Sequence, residues 1–259
     1  MQTNSKERFS SRVEKYARYR PGYSAGIVEL LKSECGLRPE HVIADIASGT
    51  GIFTRLLLEN GNHVYGVEPN AEMRRSGEEF LARYPHFSSI AASAEDTTLA
   101  GNTIDFVTVA QAAHWFDRDR ARREFARILK PEGWCVLVWN SRRVDSSEFQ
   151  REYERLISTH SGDYKAVRHE HTTGTINEFF SPATFQSRDY TMRQEFDYQG
   201  LEGRLLSSSY TPQPGDPHYE PMLRDLRRVF DAHQIDGRII LEYDTHVYYS
   251  QLSRKSPTA

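Results

Sequence analysis

The chain has 259 residues, 38% hydrophobic and 27% charged, with 33 Lys and Arg against 36 Asp and Glu. A formal net charge of −3 leaves no basic excess to neutralise phosphates, which argues against a general nucleic-acid binder or a membrane-surface protein. There is no apolar run of about 18 residues to span a bilayer, and residues 1–8 are polar, without the apolar core of a signal peptide. Cys35 and Cys135 lie far apart and form no CxxC, so reduced thiols in a cytoplasmic protein are expected.

The first half alternates between helical and extended spacing. Ile27, Val28, Leu30 and Leu31 recur as on a helix, with a stop at Gly36. Residues 41–47 are a β-branched run that enters a glycine-rich turn. Ile52, Phe53, Leu56 and Leu57 again have helical spacing, ended by Gly61. A second strand is expected over 63–68, a polar-faced helix over 71–84 and a short strand near 89–91. A fourth strand follows over 104–110, then a helix over 118–129 closed by Lys130-Pro131-Glu132-Gly133, then a fifth strand over 134–139. Residues 141–180 are polar and charged and read as a helical insertion or cap on the substrate side. Two more strands are expected over 185–196 and 238–249, with helices over 201–209 and 219–233 between them. This pattern predicts one α/β domain over 1–259. Its core is a doubly wound, mostly parallel seven-stranded sheet with helices on both faces. The ligand crevice should lie beyond the carboxyl ends of the first strands.

The most informative segment is Asp45-Ile46-Ala47-Ser48-Gly49-Thr50-Gly51, between a strand and a helix. Small residues there allow a tight turn and close approach of a ligand to the main chain. Glu68, ending the next strand, is placed to accept hydrogen bonds from two ribose hydroxyls. Dinucleotide and S-adenosylmethionine sites share this layout. The dinucleotide fingerprint G-x-G-x-x-G fails in both registers, because its third glycine falls on Ile52 or Thr54. Asp45, an acid ahead of the turn, suits a cationic ligand better than a pyrophosphate.

Residues 42–51 resemble the first motif of class I S-adenosylmethionine-dependent methyltransferases, and residues 64–73 resemble the second. Residues 91–96 and 104–116 are similar to the third and fourth. The last stretch, with Tyr16-Ala17-Arg18-Tyr19-Arg20-Pro21, is similar to the small-molecule branch that includes trans-aconitate-methyltransferase-like proteins. Ala47 departs from the family's first glycine, and Ser93 stands where many members have aspartate.

The resemblance implies a Rossmann-like fold and S-adenosyl-L-methionine as cofactor. It implies a methyl transfer to an O or N atom of a small molecule, a carboxylate among the options. Asp45 would hold the methionine amino group, helped by Ala47 and Gly49 and by the Thr50-Gly51 end of the turn. Glu68 would take the ribose, with Pro69, Asn70 and Met73 beside ribose and adenine. Ser93, Ala94 and Glu95 would frame the adenine edge, and Gln111 would stand where sulfonium and nucleophile meet. Tyr16, Tyr19 and Arg20 would form an N-terminal lid within 8–24. His114 is a candidate general base, and Tyr210 a second proton acceptor. His169-Glu170-His171 lacks a third metal ligand and reads as a solvated loop, so no metal is expected. The expected partner is a small-molecule substrate, with neither nucleic acid nor membrane. A cofactor-binding protein without transfer activity and a nicotinamide-dependent oxidoreductase are the competing classes.

Overall fold

The computed structural model describes residues 19–162, 164, 173–181 and 183–252. Tyr16, most of the 8–24 segment, and His169, Glu170 and His171 lie outside the described residues. The first half follows the predicted alternation. It runs α1 (Gly26–Cys35), β1 (Val42–Ile46), α2 (Ile52–Glu59), β2 (His63–Val67), α3 (Ala71–Leu81), β3 (Phe87–Ile90) and β4 (Ile104–Ala110). A single 3-10 turn (Ala113–Trp115) precedes α4 (Arg118–Ile128) and β5 (Leu129–Arg142). The second half holds α5 (Glu148–His160), α6 (Thr173–Phe180), β6 (Gln186–Phe196), α7 (Tyr198–Leu206), α8 (Tyr219–His233) and β7 (Ile239–Gln251).

The seven strands form one sheet in the order β3-β2-β1-β4-β5-β7-β6. The first five are parallel, whereas β7 runs antiparallel between β5 and β6. β1 is therefore the switch point, with β2 on one side and β4 on the other, and the chain leaves these strands in opposite directions. Their carboxyl ends open a crevice there. The local reasons are ordinary ones. Gly36 adopts the left-handed conformation at φ 67 and ends α1. Asn70, Asp117, Ser147 and Asp197 each cap a helix start by accepting backbone N–H bonds. β1 is apolar almost throughout because helices cover both of its faces.

Three apolar clusters hold the fold. α1 and α2 pack on one sheet face through Ile27, Leu31, Phe53 and Leu57 against Ile43, Phe106 and Val136. On the other face, α4 and α6 pack through Phe125, Ile128, Phe179 and Phe180 against Ile46, Val107 and Leu137. The third cluster joins α5, α7 and α8 to the start of β7 through Tyr153, Leu205, Leu226, Phe230, Leu241 and Tyr243.

Two differences from the expected elements have clear causes. β5 extends to Arg142 because β7 pairs along it down to Arg142 opposite Tyr243, so Ser141 and Arg142 belong to the sheet. The polar 141–180 stretch also divides. Its α5 joins the third cluster, whereas α6 lies on the sheet face beside α4. The cap is thus built from α5 together with α7 and α8. Among the described residues, no helix is long and apolar enough to cross a membrane.

The place of α6 gives a test. Phe179 is 2% exposed, with its ring centroid 6.0 Å from that of Phe125. Phe179→Ala should cost about 3–5 kcal/mol of unfolding free energy, the range for a truncated core phenylalanine. Urea denaturation measures it; a loss under about 1 kcal/mol would remove α6 from the core.

Candidate functional site

The strand–turn–helix joint after β1 has a constrained backbone. Ala47 and Gly49 take left-handed conformations at φ 56 and φ 57, and Gly51 follows at φ 81 as the cap residue of α2. For Gly49 and Gly51 this costs little, but for Ala47 a Cβ meets its own carbonyl. Gln111, just past β4, is also left-handed at φ 60. Its backbone N–H donates to Val138 O, and its Nε2 donates to Asn140 O at 3.0 Å. Two strained non-glycine residues thus line one crevice, a place where strain is often kept for function.

Two adjoining cavities occupy the crevice. The larger, of about 270 Å³, has Glu68, Pro69, Asn70, Met73, Ser93, Ala94, Glu95, Ala112, Trp115 and Phe116 in its walls. The smaller is walled by Arg20, Pro21, Tyr23, Asp45, Ser48, Thr50, Phe53 and Asn140. Ala47, Gly49, Ala110 and Gln111 belong to both, so the turn and the end of β4 form the waist between them.

Both cavities have acidic walls, Glu68 and Glu95 in the larger and Asp45 in the smaller. Glu68 is 7% exposed; its Oε2 accepts from Gly49 N–H at 3.0 Å and its Oε1 from Asn70 N–H at 2.8 Å. A carboxylate has about four acceptor sites, so these bonds fix its orientation and leave capacity for ligand hydroxyls. Asp45 is 1% exposed and accepts from Thr54 Oγ1 at 2.6 Å and Thr108 Oγ1 at 2.8 Å. Burial pushes its carboxyl up, the two threonine hydroxyls pull it partly back, and nearby Glu68 adds to the rise, leaving a pKa of about 6. Beside it, the buried Thr50 Oγ1 has no hydrogen-bond partner among the described residues.

The structure gathers most of the predicted residues. Arg20, Asp45, Ala47, Gly49, Thr50, Glu68, Pro69, Asn70, Met73, Ser93, Ala94, Glu95 and Gln111 all line one cavity or both. Asn70 and Glu95 also serve the scaffold. Asn70 caps α3 by accepting from Glu72 and Met73 N–H, and Glu95 Oε1 accepts from Asp117 N–H at 2.9 Å. Gly51 contributes to the turn and not to the walls. Tyr19 packs on α7, where its ring lies so close to Gly203 that a Cβ there would sit 2.3 Å from it. His114 stacks on Trp115 with centroids 4.7 Å apart, but is not itself a wall residue. Tyr210 sits in the cap against Tyr164, at 4.8 Å between centroids. Tyr23, Trp115, Phe116 and Asn140 are wall residues that sequence reasoning did not assign. Trp115 and Phe116 stood inside the fourth motif, where an aromatic pair beyond a strand end was the available signal.

This arrangement of sheet order, glycine turn and paired acidic walls defines the class I methyltransferase fold. Residues 44–137 match the family model described as a methyltransferase domain. An uncharacterized methyltransferase of Mycobacterium tuberculosis is 38% identical over 134 residues, 52% of each chain. The chain spans about half the length of the curated mycobacterial relatives it matches. The ubiquinone/menaquinone biosynthesis C-methyltransferase UbiE of Pseudoalteromonas translucida is 26% identical, covering 77% of this chain and 86% of its own. Among solved structures, a candidate type II methyltransferase of Anaeromyxobacter dehalogenans superimposes with a TM-score of 0.67. It is 20% identical and covers 90% of this chain and 98% of its own. A phosphoethanolamine N-methyltransferase of Haemonchus contortus, bound to S-adenosyl-L-methionine, shares the fold at a TM-score of 0.56. It is 15% identical and covers 95% of this chain and 57% of its own.

The left-handed Ala47 has a measurable cost. Ala47→Gly should remove about 1–2 kcal/mol of strain and return about 0.5–1 through the flexibility of the unfolded chain. A net gain of about 0.5–1 kcal/mol in urea denaturation is expected; a loss would show that the turn is unstrained at this residue.

Proposed function

We propose that the protein is an S-adenosylmethionine-dependent methyltransferase acting on an O or N atom of a small molecule. The observation that carries this reading is the pair of joined cavities, with Glu68 and Glu95 in the walls of the larger and Asp45 in those of the smaller, separated by the glycine turn. A ligand with hydroxyls at one end and an ammonium at the other matches those walls. The buried Thr50 hydroxyl, without a partner among the described residues, fits a polar amino-acid moiety in the smaller cavity. When bound, S-adenosylmethionine supplies a methyl group already activated by its sulfonium.

The chain's own residues bind, orient and exclude water. Glu68, oriented by two backbone N–H groups, accepts the ribose hydroxyls. Met73, Ala94 and Phe116 give the larger cavity an apolar lining suited to a flat base. Asp45 takes the ammonium, whose charge favours its ionised form. Gln111, fixed at both backbone and side chain, stands at the waist where the acceptor atom would enter. A carboxylate acceptor needs no base; a hydroxyl or ammonium acceptor would give its proton to water, because His114 and Tyr210 line neither of the two cavities. The acidic net charge and the enclosed cavities favour a small substrate over nucleic acid or membrane.

Calorimetric titration with S-adenosylmethionine, S-adenosylhomocysteine and NAD tests the reading, followed by a methyl-transfer screen over carboxylates, phenols and amines. Micromolar-scale binding of the first two is expected, with NAD much weaker; tight NAD binding alone would overturn it. Glu68→Ala should weaken S-adenosylhomocysteine binding by roughly 1.5–3 kcal/mol through lost bonds to a charged acceptor. Unchanged affinity in a folded variant would remove Glu68 from the site. The pKa of Asp45 supplies a signed pH test. At about 6 in the free protein, the carboxyl is mostly protonated at pH 5 and mostly ionised at pH 7. An ammonium ligand prefers the ionised form, so affinity should rise about tenfold from pH 5 to 7, with proton release on binding near pH 5.5. Calorimetry in buffers of different ionisation enthalpy detects that proton; Asp45→Asn should abolish its release.

A further inference from the structure

The cap contains a buried cation that no carboxylate pairs with among the described residues. Arg204 of α7 is 7% exposed. Its Nε donates to Tyr243 Oη at 3.1 Å, and its Nη1 to Ser208 Oγ at 3.0 Å and more weakly to Ser207 Oγ at 3.5 Å. No ion pair reaches it among the described residues, and its Nη2 donates no hydrogen bond there. The neighbouring buried arginine differs. Arg142, at the end of β5, pairs with Glu154 Oε2 at 2.5 Å and also donates to Tyr164 Oη at 3.1 Å. Among the described residues, the Arg142 charge is therefore answered by an acid and the Arg204 charge is not. An arginine stays protonated even when buried, and a lone buried charge is costly. Such a charge is retained where something of opposite sign joins it.

The surroundings suit an anion. Tyr153 and Tyr210 act on Arg204 from the same cluster, and neither hydroxyl is hydrogen-bonded among the described residues. Burial raises the Tyr153 hydroxyl above its ordinary range, so it remains a protonated donor. The cluster also adjoins the cofactor crevice. Arg20, a wall of the smaller cavity, donates from Nη2 to Ser207 O at 3.1 Å, and Ser207 is itself an Arg204 neighbour. Along β5, Asn140 walls the same cavity, and Arg142 lies two residues further on the same strand face.

Resting on the methyltransferase reading, we propose that Arg204, with the Tyr153 and Tyr210 hydroxyls, anchors a carboxylate of the substrate that is not the methyl acceptor. A carboxylate held by a guanidinium has its lone pairs engaged and makes a poor nucleophile, so it serves as the handle that aims another atom at the methyl group. The unmatched charge is single. A carboxylate neutralises it, whereas a dianionic phosphate ester would leave a buried negative charge. The acceptor atom then belongs to a different group of an acidic molecule.

Binding tests this without turnover. The full-length protein is titrated, with and without S-adenosylhomocysteine, against phenylacetate, its neutral amide phenylacetamide, and phenyl phosphate, by ligand-observed NMR. Phenylacetate should bind about tenfold or more tightly than either of the others. Arg204→Met should remove that preference and leave S-adenosylhomocysteine affinity within about threefold. If Arg204→Met does not fold, Tyr210→Phe gives the reading: about fivefold weaker phenylacetate binding with phenylacetamide unchanged. Equal binding of acid and amide, tighter binding of the phosphate, or a preference that the folded variant leaves intact overturns the proposal. Failure to bind S-adenosylhomocysteine, with the phenylacetate preference present, overturns the cofactor reading alone.

Discussion

Asp45 places a carboxylate at the centre of the molecule, at the end of a strand with neighbours on both sides. Thr54 of α2 grips one oxygen and Thr108 of β4 the other. Three elements thus meet at one side chain, and the turn that forms the crevice is suspended between two of them. The interaction is held against its own cost, since burial resists the charge that the hydroxyls favour. That tension leaves the group titrating near the physiological range instead of far below it. The rest of the crevice depends on this joint. If the turn moved, Gly49 would lose Glu68, and Glu68 would lose one of the two bonds that orient it.

The first half of the chain was legible because local and long-range requirements agree there. The apolar run of β1, the stop at Gly36 and the small residues after Asp45 each specify one structure. Periodicity alone located α8 to the residue, since its apolar positions recur without interruption over 219–233. The extension of β5 was not legible, because it depends on a partner strand about a hundred residues away. The division of 141–180 was hidden for a similar reason. α5 and α6 are both amphipathic, and only tertiary packing decides which apolar face each one meets. α7 begins three residues earlier than its apolar spacing suggests, because Asp197 caps it.

In the cavity walls, the residues brought together by the turn and the strand ends are mostly ones the sequence singled out, and Asn140 from the second half is not. Asn140 owes its place to the extended β5, and it ties the crevice to the entering chain by donating to Gly22 O at 2.9 Å. Arg204 gave no signal in sequence at all: one arginine in a helix of ordinary polarity. Its meaning comes only from what surrounds it after folding, a shell of hydroxyls and rings with no acid opposite among the described residues.

The antiparallel insertion of β7 between β5 and β6 also constrains how the protein is made. Parallel strands β1 to β5 can assemble as they emerge, but the outer edge of β5 has no cover until β7 arrives. Arg142 waits for Tyr243, and Trp134 for Gln251. At typical synthesis rates of about 5–20 residues per second, that gap leaves an apolar strand edge open for roughly 5–20 s. A nascent sheet in that state offers unpaired N–H and C=O groups beside Val136, Leu137 and Val138, the kind of template on which a second chain can pair. The ribosome-bound intermediate, and not the finished fold, is the form of this protein with most need of a chaperone.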